Sequence, residues 1–495
     1  MTGEAGAGLG QELITTIGLE IHVELATRTK MFCGCPVAFG GEPNTRVCQV
    51  CLGHPGTLPV PNAEAIAYAA KIGMALGCAI APSSIFHRKN YFYPDMPKNY
   101  QISQYDIPLC TGGAVAIETD GVPAAVGITR VHLEEDTGKS LHMGGGGRIH
   151  GADYSLEDFN RAGTPLVEIV TEPDMHSADQ ARAFATELRA TLEALEVSDI
   201  RMEEGSMRFD ANISMAPPGR LGAKVEVKNL NSLRSLHRAL AYEEQRQREV
   251  LGDGGTIEQS TRHWDERAGV TRPLRTKEHA FDYRYFPEPD LVAIEPPADW
   301  LESIAASLPE LPAARRRRFE EQFGLSAYDA GVLVASRPAA AYFEAAVAAG
   351  RKAEPKEVAN WLANDLVGLL TKRGESIEAC AIPPEHLAEL VDLVAGGEIS
   401  RLQGREVLDD MAAAGAGGPP PAAIVEKKGL RQLSGGDELA AVLDEVIAAN
   451  PDVWARLRAG DTKPEGFLFG QVMRATKGQA NPSAVRNLLK TRLDG

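Results

Sequence analysis

A chain of 495 residues is too long for one hydrophobic core, and at about 150 residues per domain it predicts roughly three domains. With 44% hydrophobic and 24% charged residues it has the composition of a folding chain rather than a disordered or fibrous one. Fifty-one Lys and Arg against 68 Asp and Glu leave a net charge of −17, which excludes indiscriminate wrapping of DNA or RNA by the whole surface but not local basic patches.

The opening segment, residues 1–13, is Gly/Ala-rich, with neither a basic n-region nor an apolar h-region, and predicts a flexible leader on a cytoplasmic chain. No stretch reaches the roughly 18 apolar residues of a membrane span. Over residues 14–295 short apolar alternations recur between Gly, Pro, Asn and Asp clusters, predicting one large, mostly antiparallel β domain. After the Pro-rich segment Pro287–Pro297 the pattern turns to Ala, Leu, Glu and Arg at helical spacing, predicting a helical domain over 296–413. Residues 414–423 (AGAGGPPPAA) read as a hinge, since three consecutive prolines stop a helix. Short helices should fill 424–495, giving an α+β chain with a small all-α tail. From Glu465 to Gly495 five Lys and Arg face two acids, so this tail is basic on an acidic protein.

Seven cysteines are present, and four of them, Cys33, Cys35, Cys48 and Cys51, fall within nineteen residues. Two close thiol pairs across a short loop suit a tetrahedral zinc, and a closed shell of four thiolates leaves no position for substrate, so such a zinc is structural. A phase argument concerns the strands. In IGLEIHVEL, Ile17, Leu19, Ile21, Val23 and Leu25 share one face, which puts Glu20, His22 and Glu24 on the other. In RVHLEEDTGK, His132, Glu134 and Asp136 oppose Val131 and Leu133, with Glu135 open to either side. Arg208, Asp210 and Asn212 in MRFDANIS, and Glu226 and Lys228 in VEVKNLNS, repeat the alternation. A water-facing antiparallel sheet explains any one such strand. Together, Glu, His, Asp, Asn and Arg are the donors of a magnesium nucleotide site.

Two further segments carry cations. In FHRKNYFYPDMPKNYQISQYDIPL, Arg88, Lys89 and Lys98 interleave with Tyr91, Tyr93, Tyr100 and Tyr105, which suits phosphate neutralisation with stacking on a base, or equally a loop packed by its own tyrosines. Arg161 and Gly163 precede an alternating run and place a cation beside the same face, or form a hairpin turn. Gly138-Lys139-Ser140 is no P-loop, because Leu133 stands where its first glycine belongs. Arg315 to Arg318, followed by Glu320 and Glu321, read as a solvated helix face.

The segments IGLEIHVEL, the CxC and CxxC pairs, RKNYFYPDMPKNYQISQ, HLEEDTGK, DFNRAGTPLVEIVTEPDM, VEVKNLNS and FDYRYFPEPDL closely resemble the B-subunit family of aspartyl/glutamyl-tRNA amidotransferases, through essentially the whole chain. Met96 and Asn99 depart from the usual pattern within one loop. The resemblance implies a catalytic cradle domain, a helical domain and a YqeY-like tail that contacts tRNA. It implies ATP-dependent phosphorylation of the side-chain carboxylate of Glu on tRNA(Gln) or Asp on tRNA(Asn), then amidation by ammonia. Carried over by position, the catalytic and magnesium-holding set is Glu20, His22, Glu134 and Glu135, with Asp210 as a weaker fifth. Arg88, Lys89, Arg208 and Lys228 become the ATP or acyl-phosphate contacts. Arg474, Lys477, Arg486 and Lys490 become the tRNA contacts of the tail. With no glutaminase signature in the chain, ammonia is implied to come from an amidase-type A subunit joined by a small C subunit in a heterotrimer. The competing readings are a non-catalytic, zinc-stapled tRNA scaffold and a stand-alone ligase for a small acid, which has no need of a basic arm.

Overall fold

The computed structural model describes residues 12–144, 151–276, 282–431, 436–476 and 480–494, so most of the expected leader lies outside the described residues. Two compact units divide the chain, Met1–Ala313 and Ala314–Gly495. The first carries β1 (Ile14–Glu24), α1 (Ala63–Ala75), β2 (Ala79–Ile80), β3 (His87–Asn90), β4 (Tyr100–Ser103), β5 (Cys110–Thr111), β6 (Ala114–Thr119) and β7 (Val122–Glu135). There follow β8 (Lys139–Met143), β9 (Tyr154–Asp158), β10 (Pro165–Thr171), α2 (Ala178–Leu195), β11 (Met207–Ala216), β12 (Val225–Leu230) and α3 (Leu233–Gly252). It closes with β13 (Ser260–Asp265), β14 (Val270–Thr276), β15 (Phe286–Pro287) and α4 (Ala298–Ala306).

The main sheet runs β14-β13-β12-β11-β1-β10-β7-β4-β3-β15, with β2, β5 and β6 gathered around β7. Among the described strands, β12 and β13 form the one parallel pair, and α3 makes the crossover that a parallel pair requires. The expected α+β class, with a mostly antiparallel sheet, is what the chain adopts. Alternation in β1 is strict: Ile17, Leu19, Ile21 and Val23 are buried, while Glu20, His22 and Glu24 point the other way. Register then fixes the neighbours, pairing Glu20 with Asp210 and His22 with Arg208 on one side and with Glu168 on the other. The apolar face is covered by α1, α2 and α3, whose starts are fixed by Asn62, Ser177 and Ser232 accepting first-turn N–H groups.

The first unit extends further than the expected boundary at residue 295. Ser84 and Ile294 exchange backbone hydrogen bonds of 2.9 and 2.7 Å, which stitch the Pro-rich segment back onto the sheet. Ile304 of α4 belongs to the same core, with Trp300, Leu301 and Leu311 packed against it. Burial of this helix's apolar side, rather than its helical composition, decides where it belongs.

The second unit is helical. It runs from α5 (Pro312–Phe323), which begins at the boundary, through α6 (Ala327–Val334), α7 (Arg337–Ala349), α8 (Pro355–Asn360), a π-helical turn at Trp361–Leu366 and α9 (Val367–Arg373). After these come α10 (Pro384–Ala395), α11 (Arg401–Ala414), α12 (Pro421–Lys428), α13 (Gly436–Ala449), α14 (Pro451–Arg458), α15 (Glu465–Ala475) and α16 (Pro482–Asp494). One core gathers Phe319, Phe343, Trp361, Leu387 and Val407, and a second gathers Leu439, Leu443, Leu468, Val472, Val485 and Leu489. The proline triplet does not open a hinge into the tail. Gly415 and Gly417, both at positive φ, end α11, and Pro421 starts α12, whose Ile424 and Val425 are buried in the first of these cores. The tail's own core therefore begins with α13 rather than at residue 424. Arg315 and Arg318 reach Glu344 on α7, so the Arg run is spent partly on helix packing rather than left wholly to water. No single helix among the described residues is long and apolar enough to cross a membrane.

Phe184 of α2 is fully buried beneath the sheet. Phe184→Ala should lower the stability of the first unit by about 3–5 kcal/mol, read as an earlier denaturant transition by tryptophan fluorescence and circular dichroism.

Candidate active site and metal centre

The polar face of the sheet is not left to water. On β7 and β10, His132, Glu134 and Glu168 are 2%, 3% and 8% exposed. They adjoin a cavity of about 300 Å³ lined by His22, Lys89, Gln101, Glu134, Asp136, Arg208, Asp210 and Lys228, with the Tyr91 and Tyr283 rings. Its strand-borne walls are supplied by the side that alternation turns away from the core.

Each buried charge has partners. Glu134 accepts hydrogen bonds from Ser103 Oγ at 2.9 Å and Gln101 Nε2 at 3.0 Å, and its Oε1 lies 3.2 Å from His132 Nε2. Arg130 donates to His132 Nδ1 at 3.3 Å, which leaves the ring proton on Nε2, facing Glu134 and Glu168. Burial works against charge on Glu134, but Lys89 and His132 hold its carboxyl well below the usual range. Burial, the largest influence, and neighbouring Glu134 oppose charge on Glu168, and His132 and His22 together outweigh them to keep that carboxyl low. Lys89 is pushed up despite its burial by Glu134 and nearby groups. At the next polar-face position of β1, Glu24 is raised to about 8, first by burial and then by Asp136, whose own proton affinity Arg208 and Arg161 lower against the effect of burial.

The ligand atoms of His22, Glu134 and Glu168 lie within 4.8 Å of one another. Two carboxylates offer the hard oxygens that magnesium prefers, and the open cavity leaves room for the water and phosphate oxygens it normally keeps. Imidazole is the poorer magnesium ligand, so the fit rests on the two carboxylates. The second cluster is Cys33, Cys35, Cys48 and Cys51, whose sulfurs also lie within 4.8 Å of one another. Cys48 Sγ and Cys51 Sγ are 3.9 Å apart, close to the ~3.8 Å edge of a tetrahedron with Zn–S bonds of about 2.3 Å. Gly53, just past the second pair, sits at φ +67°, and a Cβ there would come within 3.0 Å of the Lys98 backbone. The cysteine loop thus lies directly against the segment that leads into β4.

The structure brings His22, Lys89, Glu134, Arg208, Asp210 and Lys228 to the cavity. Arg208 is held by Asp136 at 2.9 Å and Lys228 by Asp210 and Glu226. Glu20 shares their face but is not in the cavity lining, and its Oε1 accepts from Asn212 Nδ2 at 2.9 Å. Two expected residues lie elsewhere. Glu135 takes the core-side phase of β7, where it pairs with Lys98 and accepts the Ile102 N–H at 2.9 Å. Arg88 alternates away from Lys89 on β3, is gripped by Glu288 at 2.7 and 2.8 Å, and stacks 4.3 Å over Tyr100. Arg161 hydrogen-bonds the carbonyls of Thr137 and Gly138. In the aromatic loop Tyr91 lines the cavity and also stacks on Tyr93 at 4.8 Å, so the loop is packed in part by its own tyrosines. In the tail Arg474, Arg486 and Lys490 are exposed, and Lys477 lies outside the described residues.

Sequence reasoning missed Glu168, Gln101 and Tyr283. Glu168 had a signal: it is the one charged residue inside the apolar run PLVEIV, where period two sets it opposite Val167 and Ile169. Gln101 and Tyr283 come from short segments whose place over the cavity only tertiary pairing decides.

A polar cavity with a carboxylate–imidazole cluster and fixed cations on an antiparallel cradle, with a separate four-cysteine cluster, is built like the active site of an enzyme. The family described as the GatB/GatE catalytic domain matches residues 15–302, and the family described as the GatB domain matches 341–493. This chain belongs to the GatB family. It is 52% identical to the B subunit of the aspartyl/glutamyl-tRNA(Asn/Gln) amidotransferase of Moorella thermoacetica, over 97% of this chain and 100% of the relative. It is 49% identical to the protein of the same name from Carboxydothermus hydrogenoformans, over 98% and 99%, and 51% identical to that of Frankia casuarinae, over 96% and 95%.

Glu168→Gln should weaken divalent-cation binding by at least about tenfold, because even the hydrogen-bond partners of metal ligands are worth about 10–100-fold. Titration with Mn²⁺ followed by electron paramagnetic resonance reads this directly.

Proposed function

We propose that this chain is the carboxylate-activating subunit of a glutamine-dependent tRNA amidotransferase. In the first step a side-chain carboxylate oxygen of Glu on tRNA(Gln), or of Asp on tRNA(Asn), attacks the γ-phosphorus of ATP and ADP leaves. In the second, ammonia attacks the acyl carbon, phosphate leaves, and the nitrogen loses a proton to give the amide. Activation is needed because a carboxylate resists nucleophiles, whereas an acyl phosphate carries a leaving group that cations stabilise. One observation carries this reading: Lys89, Arg208 and Lys228 line the same small cavity as the His22 and Glu134 members of the three-ligand cluster.

Lys89 projects its ammonium 5.1 Å from the Tyr283 ring, in position to meet a phosphoryl oxygen while that ring limits its sweep. Arg208 and Lys228 are oriented by Asp136 and Asp210, so they reach a phosphate without reorganising. Glu134 and Glu168, with His22, would hold a magnesium ion, which would supply charge neutralisation to the nucleotide phosphates. Zinc on the four cysteines is structural. The exposed Arg474, Arg486 and Lys490 of the tail suit tRNA phosphate contacts. Ammonia comes from an amidase-type A subunit, with a small C subunit completing the assembly, in the cytoplasm. Burial of His132, Glu134 and Glu168 disfavours a pure scaffold, whose acidic face has no reason to leave water.

The test is ATP hydrolysis by the chain purified with its amidase and bridging partners. Glu-tRNA(Gln) or Asp-tRNA(Asn) should stimulate it where uncharged tRNA and free glutamate do not. Lys89→Met should cut the stimulated rate by about 10²–10³-fold with tRNA affinity retained. Tight tRNA binding with no stimulation by either charged tRNA returns the scaffold. Arg486→Glu with Lys490→Glu should raise KM for charged tRNA and leave KM for ATP unchanged.

A further inference from the structure

Lys30 is 1% exposed and is among the largest fully buried side chains of the protein. Its place is fixed by backbone bonds: Lys30 N donates to Cys35 O at 2.9 Å, and Met31 N donates to Gly163 O at 2.7 Å. Its Nζ lies 3.1 Å from Phe159 O and 3.6 Å from Cys51 Sγ. Among the described residues no carboxylate forms an ion pair with it, and the nearby Glu135 is engaged by Lys98.

An ammonium in this position is costly unless a negative charge meets it, and a carbonyl with a neutral thiol does not supply one. Four thiolates on a divalent zinc do, since they leave the centre with two net negative charges. We infer that Lys30 is the internal counter-ion of the four-cysteine centre, donating to the Cys51 sulfur and offsetting part of the centre's charge without being a ligand. The inference rests on the zinc reading given above. Charge counting gives the consequence. Four thiols that take up zinc and release four protons pass from neutral to doubly negative, so a fixed cation favours the loaded state. The same cation is less fully met in the metal-stripped state, where only the Phe159 carbonyl and the Cys51 sulfur face it.

The test uses the full chain, metal-stripped and zinc-loaded, comparing wild type with Lys30→Met, which keeps most of the stem and removes the charge. Zinc affinity comes from competition with a chromophoric chelator, and Tm is read for both states. The expected result is one tight zinc in wild type and an affinity about 10–100-fold weaker in Lys30→Met. The metal-stripped variant should be no less stable than metal-stripped wild type, so that the Tm gain on zinc loading shrinks. A lysine that merely packs gives a different signature: both states of the variant lose Tm together, or both fail to fold, and either outcome overturns the inference. Unchanged affinity in Lys30→Met, with zinc tight in wild type, overturns this inference alone. Failure of wild type to bind zinc overturns the zinc reading and this inference with it.

Discussion

A carboxylate removed from water must be met by a cation or a proton donor within a few ångströms, and the cavity of this protein is organised around that requirement. Glu134 is enclosed because Ser103, Gln101 and His132 surround it, and His132 is oriented because Arg130 reaches its far nitrogen. Remove the donors and the strand would expel the carboxylate or protonate it. With the donors in place, a charged interior is stable next to an apolar core one residue away.

Antiparallel register connects that chemistry to the sequence. One strand, β1, has Asp210 and Arg208 on one flank and Glu168 on the other, so residues nearly two hundred positions apart share a wall. Helices α2 and α3 press on the opposite face, where Ile17, Leu19 and Ile21 admit no water. A slip of one residue in β1 would exchange the two sets and put Glu20 and His22 into the core. Packing and site therefore specify the same register, each penalising the error the other would penalise.

Much of this was legible without coordinates. Strict alternation in IGLEIHVEL and MRFDANIS announced the polar face, because period two is a local property that needs no knowledge of the partner strand. Glu135 and Arg88 came to the site through the resemblance rather than through alternation, which sets no phase at a strand end or in a four-residue strand. The carboxylates Glu135 and Glu288 then claim partners only the folded chain reveals. Domain edges failed differently. Helical composition marks where helices begin but not which core they bury against, so α4 joined the sheet unit and α12 the core that precedes it. Cysteine spacing, by contrast, transferred directly to geometry, because a short loop leaves two thiol pairs little choice but to converge.

The contact between Gly53 and the Lys98 backbone ties the two ends of this design together. Lys98 leads into β4, whose Gln101 and Ser103 hold Glu134. The cysteine loop is thus a strut that bears on the cavity's own wall. A strut of this kind transmits slack as well as load: if the loop loosens, β4 can recede, and the donors that keep Glu134 charged recede with it. Were zinc to fill the four-cysteine cluster, as proposed, its loss would be felt at the cavity through this strut.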